Sequence, residues 1–346
     1  MKPCFPHITL QKTLCLLGVL FIHAVLPFTE GNPFWKLYAD ERNAAATALA
    51  SFCGAVLIPS FLFASGFLLA NTLEHSRQRT LREQLASRAR RLLRPWLLTV
   101  LFWLVPLYTL FDVPSFNRPL HTALMEGYSV ALRGLFAEHL WFLLVLFWVT
   151  LFWLLLLPIV RRTNQFIGLL IAVAAAALVQ YFGGGLTWFC LWEISAPLFF
   201  FYLGCLTYWR RERIDPLLMR FPLLLLFVLA AALAVLSPLS SASFAATCLV
   251  SSLGCAFSYL LSLMLVRQGY QTLRAIAPYR YFEEHSFRFY LFHMPTGLLA
   301  FKFVNGTTEL PTFLQIFVIF ILCFAATSVV VFATCRLERL FRGWRP

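Results

Sequence analysis

Apolar residues in this chain come in long unbroken runs separated by short polar stretches, with no sustained alternation at every second position. Runs of about twenty residues match the length an α-helix needs to cross a ~30 Å hydrocarbon core. They fall at 9–28, 47–71, 95–112, 139–160, 166–183, 188–209, 221–237, 243–266, 285–304 and 311–335. The pattern predicts an all-α fold, a polytopic transmembrane helix bundle of about ten spans. Several runs lie near the short limit, so tilted, broken or partly re-entrant spans are expected among them. The first run holds a histidine, lacks a convincing small-residue cleavage site and is followed by further spans. It reads as a retained span rather than a signal peptide.

Composition agrees with the pattern. Hydrophobic residues make up 60% of the chain and charged residues 12%, where a soluble domain carries about a quarter charged. Mean hydropathy is +0.77. The net charge of +13 invites a nucleic-acid reading, but the cations sit in alternate loops, which excludes it and points to membrane orientation. One set of loops carries Arg77, Arg79, Arg82, Arg88, Arg90, Arg91 and Arg94, then Arg161 and Arg162, Arg210, Arg211, Arg213 and Arg220, Arg267, Arg274 and Arg280, and the tail from Arg336 to Arg345. The other set holds Lys36, Arg42, Arg118, Arg133 and Lys302 among several acids. An even number of spans with both termini cytoplasmic satisfies this distribution. The nine cysteines show no CxxC spacing and read as small hydrophobes, so neither a disulfide framework nor a metal site is expected. A single membrane domain over 1–346, without a fused extracytoplasmic unit, is expected.

Candidate chemistry begins in the first span, LQKTLCLLGVLFIHAVLPF. Lys12 and His23 are separated by three helical turns plus about 20°, so they share a face, roughly 16 Å apart along the axis. Snorkelling of Lys12 and a hydrogen-bonded core role for His23 form the bland account. A bundle interior or water-filled path is the functional one. In SRARRLLRPWLL, Arg88, Arg91 and Arg94 recur every third residue and are read as lining adjacent turns of one side. They serve either as a positive-inside anchor touching anionic membrane lipids or as a forked array for a polyphosphate ligand. Ser65 and Gly66 in the second span read first as a close helix contact. His139 and Trp141 are placed at the outer interface. Tyr290 and His293, followed by Pro295, suggest a lined cavity in mid-membrane.

Taken in order, the Lys12–His23 pair, the SGFL of span two, the RxxR entry to span three, HLWFL and SFRFYLFHMP resemble the acyltransferase-3 family over essentially the whole chain. The resemblance implies an integral membrane O-acyltransferase that modifies surface sugars, polysaccharides or glycolipid precursors in a bacterial cytoplasmic membrane. Acyl-CoA, acetyl-CoA by default, is the implied donor substrate, and no permanently bound cofactor is implied. The family's paired basic residue and histidine fall on Lys12 and His23, and its RxxR on Arg88–Arg91 or Arg91–Arg94. Lysine stands where the family more usually has arginine. On this reading His23 is a general base or acyl carrier, Lys12 a charge-stabilising partner, and the arginines hold the donor's diphosphate. Ser65, His139, Trp141, Tyr290 and His293 are candidate cavity residues. A transporter or flippase using Lys12 and His23 as substrate or proton sites is the competing class. No inverted pattern of paired broken helices supports it.

The loop charges generate a topology test. Reporter fusions after residues 90, 163, 215 and 275 are expected to read cytoplasmic, and fusions near 40, 125 and 307 external. A reproducibly inverted pair refutes the ten-span order.

Overall fold

The computed structural model describes residues 5–30, 39, 42–75, 80–111, 119–133, 139–162, 164–183, 188–307 and 310–343. Arg77, Arg79, Lys36, Arg118 and Arg345 lie outside them. The helices are α1 (Pro6–Val25), α2 (Ala44–His75), α3 (Leu81–Thr99), α4 (Val105–Leu110), α5 (Leu120–Arg133), α6 (Trp141–Arg162), α7 (Gln165–Phe182), α8 (Ser195–Leu218), α9 (Pro222–Leu236), α10 (Phe244–Ala275), α11 (Ala277–Thr307) and α12 (Thr312–Gly343). The fold is an all-α helix bundle. Among the described residues, nine helical segments are long and apolar enough to span a membrane.

The tenth expected span, 285–304, falls within α11. Its length suffices, but His293, Pro295 and Lys302 dilute its apolar character. It packs on α1 and α12, and Phe289, His293 and Leu298 are buried. A helix facing protein need not be apolar all round. The arginine-rich stretch before span three is itself helical. Thr80 starts it with a capping box, its side chain accepting from the Glu83 amide while the Glu83 carboxylate accepts from the Thr80 amide. This helix runs through one wide turn at Val100–Leu104 into α4. The helix α5, which the apolar pattern did not announce, is tied to that turn by the Tyr128 hydroxyl, 3.1 Å from the Leu101 carbonyl.

The chain centres on α2 and α8, which touch backbone to backbone. A Cβ on Gly66 would lie 1.8 Å from the Phe201 carbonyl oxygen, and one on Gly204 would lie 1.9 Å from that of Phe63. The two glycines are reciprocal, each opening its own helix to the other, as close packing in lipid favours. The Cys205 thiol reinforces the seam by donating to the Gly66 carbonyl at 3.2 Å. Gly254 on α10 makes a similar approach to α2 beside Ala55. At the arginine-bearing end, Glu74 accepts from Arg161 at 3.0 Å and from the Tyr208 hydroxyl at 2.6 Å. That acid thereby joins α2, α6 and α8. Aromatic side chains fill the space between, with Phe67, Trp153, Phe201, Tyr202 and Tyr208 fully buried. The cysteines among the described residues are free thiols, mostly buried.

Gly66→Ala and Gly204→Ala are each expected to destabilise the detergent-solubilised protein by about 1–3 kcal/mol, the usual cost of overpacking. Gly54→Ala is the control, because nothing lies within 4 Å of the added carbon. Thermal unfolding followed by fluorescence-detected size exclusion reads the difference. Equal midpoints for all three variants would refute the close α2–α8 seam.

Candidate active site

Beside the α2–α8 seam lies a cavity of about 900 Å³. Along α2 its wall runs from Ala50 to Thr72, roughly 33 Å at 1.5 Å per residue. The cavity therefore extends over about the full thickness of a hydrocarbon core. Lys12 and His23 of α1 both line it, at positions their helical spacing puts on one face.

The face that α3 offers the cavity is Gln84, Ser87, Arg88, Arg91 and Leu92, the i, i+3, i+4, i+7, i+8 set of a helix side. Lys12 and Arg88 each interact electrostatically with Arg91, so three like charges converge on one end. Among the described residues none of the three pairs with a carboxylate. The Lys12 ammonium instead lies over the Phe61 ring, 4.8 Å from its centroid. Arg94 does not join them. It is exposed and outside the cavity wall, because each step of three residues falls about 60° short of a full turn. Two such steps carry Arg94 well round the helix from Arg88. The reading of three guanidiniums on one side is corrected to two.

At the other end of the cavity three histidines from separate elements meet. His23 and His293 have ring centroids 5.1 Å apart, and His139 and His293 4.7 Å apart. The Tyr290 ring stands 5.4 Å from His139. His139, expected at the outer interface, is buried beside α11 at the end of the cavity away from the arginines. The backbone holds this group in place. His293 Nδ1 bonds the Tyr290 carbonyl at 2.8 Å, His139 Nε2 bonds the Leu291 carbonyl at 3.3 Å, and the Tyr290 hydroxyl donates to the His139 carbonyl. A carbonyl oxygen only accepts, so each of those ring nitrogens carries a hydrogen and the other presents its lone pair. Those other nitrogens, His139 Nδ1 and His293 Nε2, are buried without a hydrogen-bond partner among the described residues. His139, Trp141 and Tyr290 line the main cavity, whereas His293 lines a pocket of about 10 Å³ behind it, shared with His23 and Cys323. Ser65 also faces the main cavity while its hydroxyl donates to the Phe61 carbonyl at 2.8 Å. Among the described residues no three His, Cys, Asp or Glu side chains are arranged to hold a metal.

The sequence reading missed one wall. The expected span 188–209 does not begin as an α-helix: Trp188–Ile194 is a tight, kinked segment, with Phe189 and Cys190 at φ 52° and 56°. Two successive left-handed residues bearing side chains cost on the order of 1–3 kcal/mol each and persist where their surroundings fix them. The Trp148 indole holds the Phe189 carbonyl at 3.2 Å, and Cys190 is buried. Trp192 and Glu193 thereby reach the cavity wall. An acid within an aromatic-rich run was the available signal.

The arrangement gives a cationic mouth, a path through the bundle and a cluster of imidazoles at its far end. Such a site can bind an anion and move a proton in one enclosed space. Comparison with known proteins bears on the class of chemistry. The acyltransferase-3 family model, described as an acyltransferase domain, matches residues 6–333. No curated protein matches the chain, and no solved structure does. With nearly its whole length covered by that match, the chain belongs to the acyltransferase-3 family of multi-pass membrane acyltransferases.

Proposed function

We propose that this acyltransferase moves an acyl group, acetyl in the first instance, from acyl-CoA to a hydroxyl of a cell-surface sugar, polysaccharide or glycolipid precursor. The observation that carries the reading is that Arg88 and Arg91 share one cavity with His23. The donor's phosphates sit on the two guanidiniums at the mouth, where forked donors match phosphate oxygens. Lys12 adds a third positive charge nearby. The uncharged thioester arm then extends along the cavity toward His23.

There the acceptor oxygen attacks the thioester carbonyl. A C–O bond forms, the C–S bond breaks, and neutral His23 takes the hydroxyl proton and returns it to the departing thiolate. In the two-step variant a His23 ring nitrogen attacks the thioester carbonyl, a C–N bond forms as the C–S bond breaks, and the thiolate leaves with the ring's N–H proton. The acceptor oxygen then forms the C–O bond as the C–N bond breaks, its proton returning to the imidazole. His293 adjoins His23, and His139 adjoins His293; both act as positioning residues, their tautomers set by the carbonyls they bond. The proposed setting is a bacterial cytoplasmic membrane with the arginine-bearing end cytoplasmic, so that the donor enters from the cytoplasm. Mass spectrometry of surface glycans and glycolipids with and without the gene tests the whole reading: loss of an acyl substituent supports it, and identical spectra overturn it.

Two residue-level outcomes follow from the cavity. Arg88→Ala with Arg91→Ala is expected to weaken acetyl-CoA binding, measured by calorimetry, while the protein still inserts. Lysine at both positions restores part of the affinity, since a point charge does not reproduce a forked contact. Unchanged affinity would make the cluster an orientation signal. His23→Ala and His23→Gln are each expected to cut transfer by about 10²- to 10⁴-fold, the usual cost of losing a general base, with normal insertion. His139→Gln and His293→Gln lose less. Radiolabelled acyl group retained on wild-type protein with donor present and acceptor absent identifies the two-step route. Near-normal transfer by His23→Gln would move the site to His293 and Tyr290.

A further inference from the structure

The cavity carries its charges unevenly. Lys12, Arg88 and Arg91 line one end, and the one carboxylate among its described lining residues, Glu193, lies in the kinked segment at the other. Glu193 is half-buried, and among the described residues no hydrogen bond or ion pair engages it. An acid on the wall of a cavity within a membrane bundle marks a functional position by default. Its backbone setting gives a second, independent indication. Non-helical backbone within a membrane is tolerated where it is buried in protein or lines a cavity. Trp188–Ile194 lines the cavity through Cys190, Trp192 and Glu193 and is held by the Trp148 indole at the Phe189 carbonyl and by the buried Cys190. The effect of that strained turn is to present Trp192 and Glu193 side by side to the cavity that His23 also faces. Trp141, at the start of α6, lines the same space.

We propose that Glu193, with the indoles of Trp192 and Trp141, forms the acceptor subsite and takes a polyhydroxylated ring. The proposal rests on the acyl-transfer reading and specifies how its second substrate is held. An ionised carboxylate is an acceptor only, so it suits a ligand that offers several O–H donors, and neighbouring hydroxyls of a sugar ring engage its two oxygens together. The indole faces supply flat apolar surface for the C–H faces of such a ring. The same charge disfavours phosphate. The donor's anionic part is therefore drawn to the arginine end and turned away from this one, so the two substrates meet from opposite sides with their reacting groups near His23. Glu193 acts as a binding and orienting residue, and the proton transfer stays with His23.

The test uses the full chain in lipid nanodiscs, free of glycoside detergent. Methyl β-D-glucopyranoside and methyl α-D-mannopyranoside are the probes, followed by saturation-transfer NMR, with acetyl-CoA titrated separately by calorimetry. Wild type is expected to bind at least one glycoside. Glu193→Ala is expected to weaken that binding about tenfold, the loss of a charge-assisted contact, and Glu193→Gln and Trp192→Ala to weaken it severalfold. Acetyl-CoA affinity stays at the wild-type value in all three, which also shows that they are folded. Trp192→Phe keeps an aromatic face and retains most of the glycoside binding. No glycoside binding by wild type, or equal binding by Glu193→Ala, overturns the subsite. Glycoside binding that depends on Glu193 without any acetyl-CoA binding leaves the subsite standing and removes the donor reading instead.

Discussion

Hydrocarbon cannot solvate a charge, and most of this structure follows from that constraint. Lys12, Arg88 and Arg91 lie on helices that cross an apolar layer, where each ionised side chain needs water, an opposite charge or an aromatic face. Lys12 has the Phe61 ring, and all three open into a shared cavity. A cavity that large beside a membrane bundle needs walls that do not collapse. The backbone contact of Gly66 and Gly204 holds α2 and α8 together on one side of it. The Glu74–Arg161–Tyr208 cluster clamps the arginine-bearing end. Tight packing in one place is what makes an opening possible in another.

The same constraint shapes the histidine group. Three imidazoles stand close together, and for the two buried ones, His139 and His293, carbonyl oxygens choose the tautomer. The kinked segment before α8 closes the other side of the cavity through Cys190, Trp192 and Glu193. Each of these features departs from regular helix packing, and together they surround one space. Local irregularity in an otherwise regular bundle concentrates where chemistry is done.

Sequence alone revealed the parts that depend on periodicity within one element. Long apolar runs marked the spans because a membrane helix must satisfy its own backbone and present apolar side chains to lipid. The Lys12–His23 face was legible because helical phase is fixed by spacing. The same arithmetic, applied too loosely, put Arg94 with Arg88, although three-residue steps drift around the helix. What could not be read was any meeting between elements. No spacing rule relates His23, His139 and His293, which lie far apart in the chain, and in WFCLWEI only the acid among aromatics hints at a cavity wall, while nothing there announces the kink. The Gly66 approach was legible from its small neighbours, but its partner Gly204 became visible only with the helices side by side.

Confining the cations to one end of the cavity has an electrical consequence. A unit charge carried through the whole membrane field exchanges about 2.3 kcal/mol with each 100 mV of potential. On the proposed function, with the donor's anionic part held at the mouth by Arg88 and Arg91, only an uncharged arm would traverse the layer, and the field would do almost no work on it. On the same proposal, a proton handed between neighbouring groups at His23 would move through a small fraction of the voltage drop. Chemistry arranged in this way would run at nearly the same rate in an energised membrane and in a depolarised one.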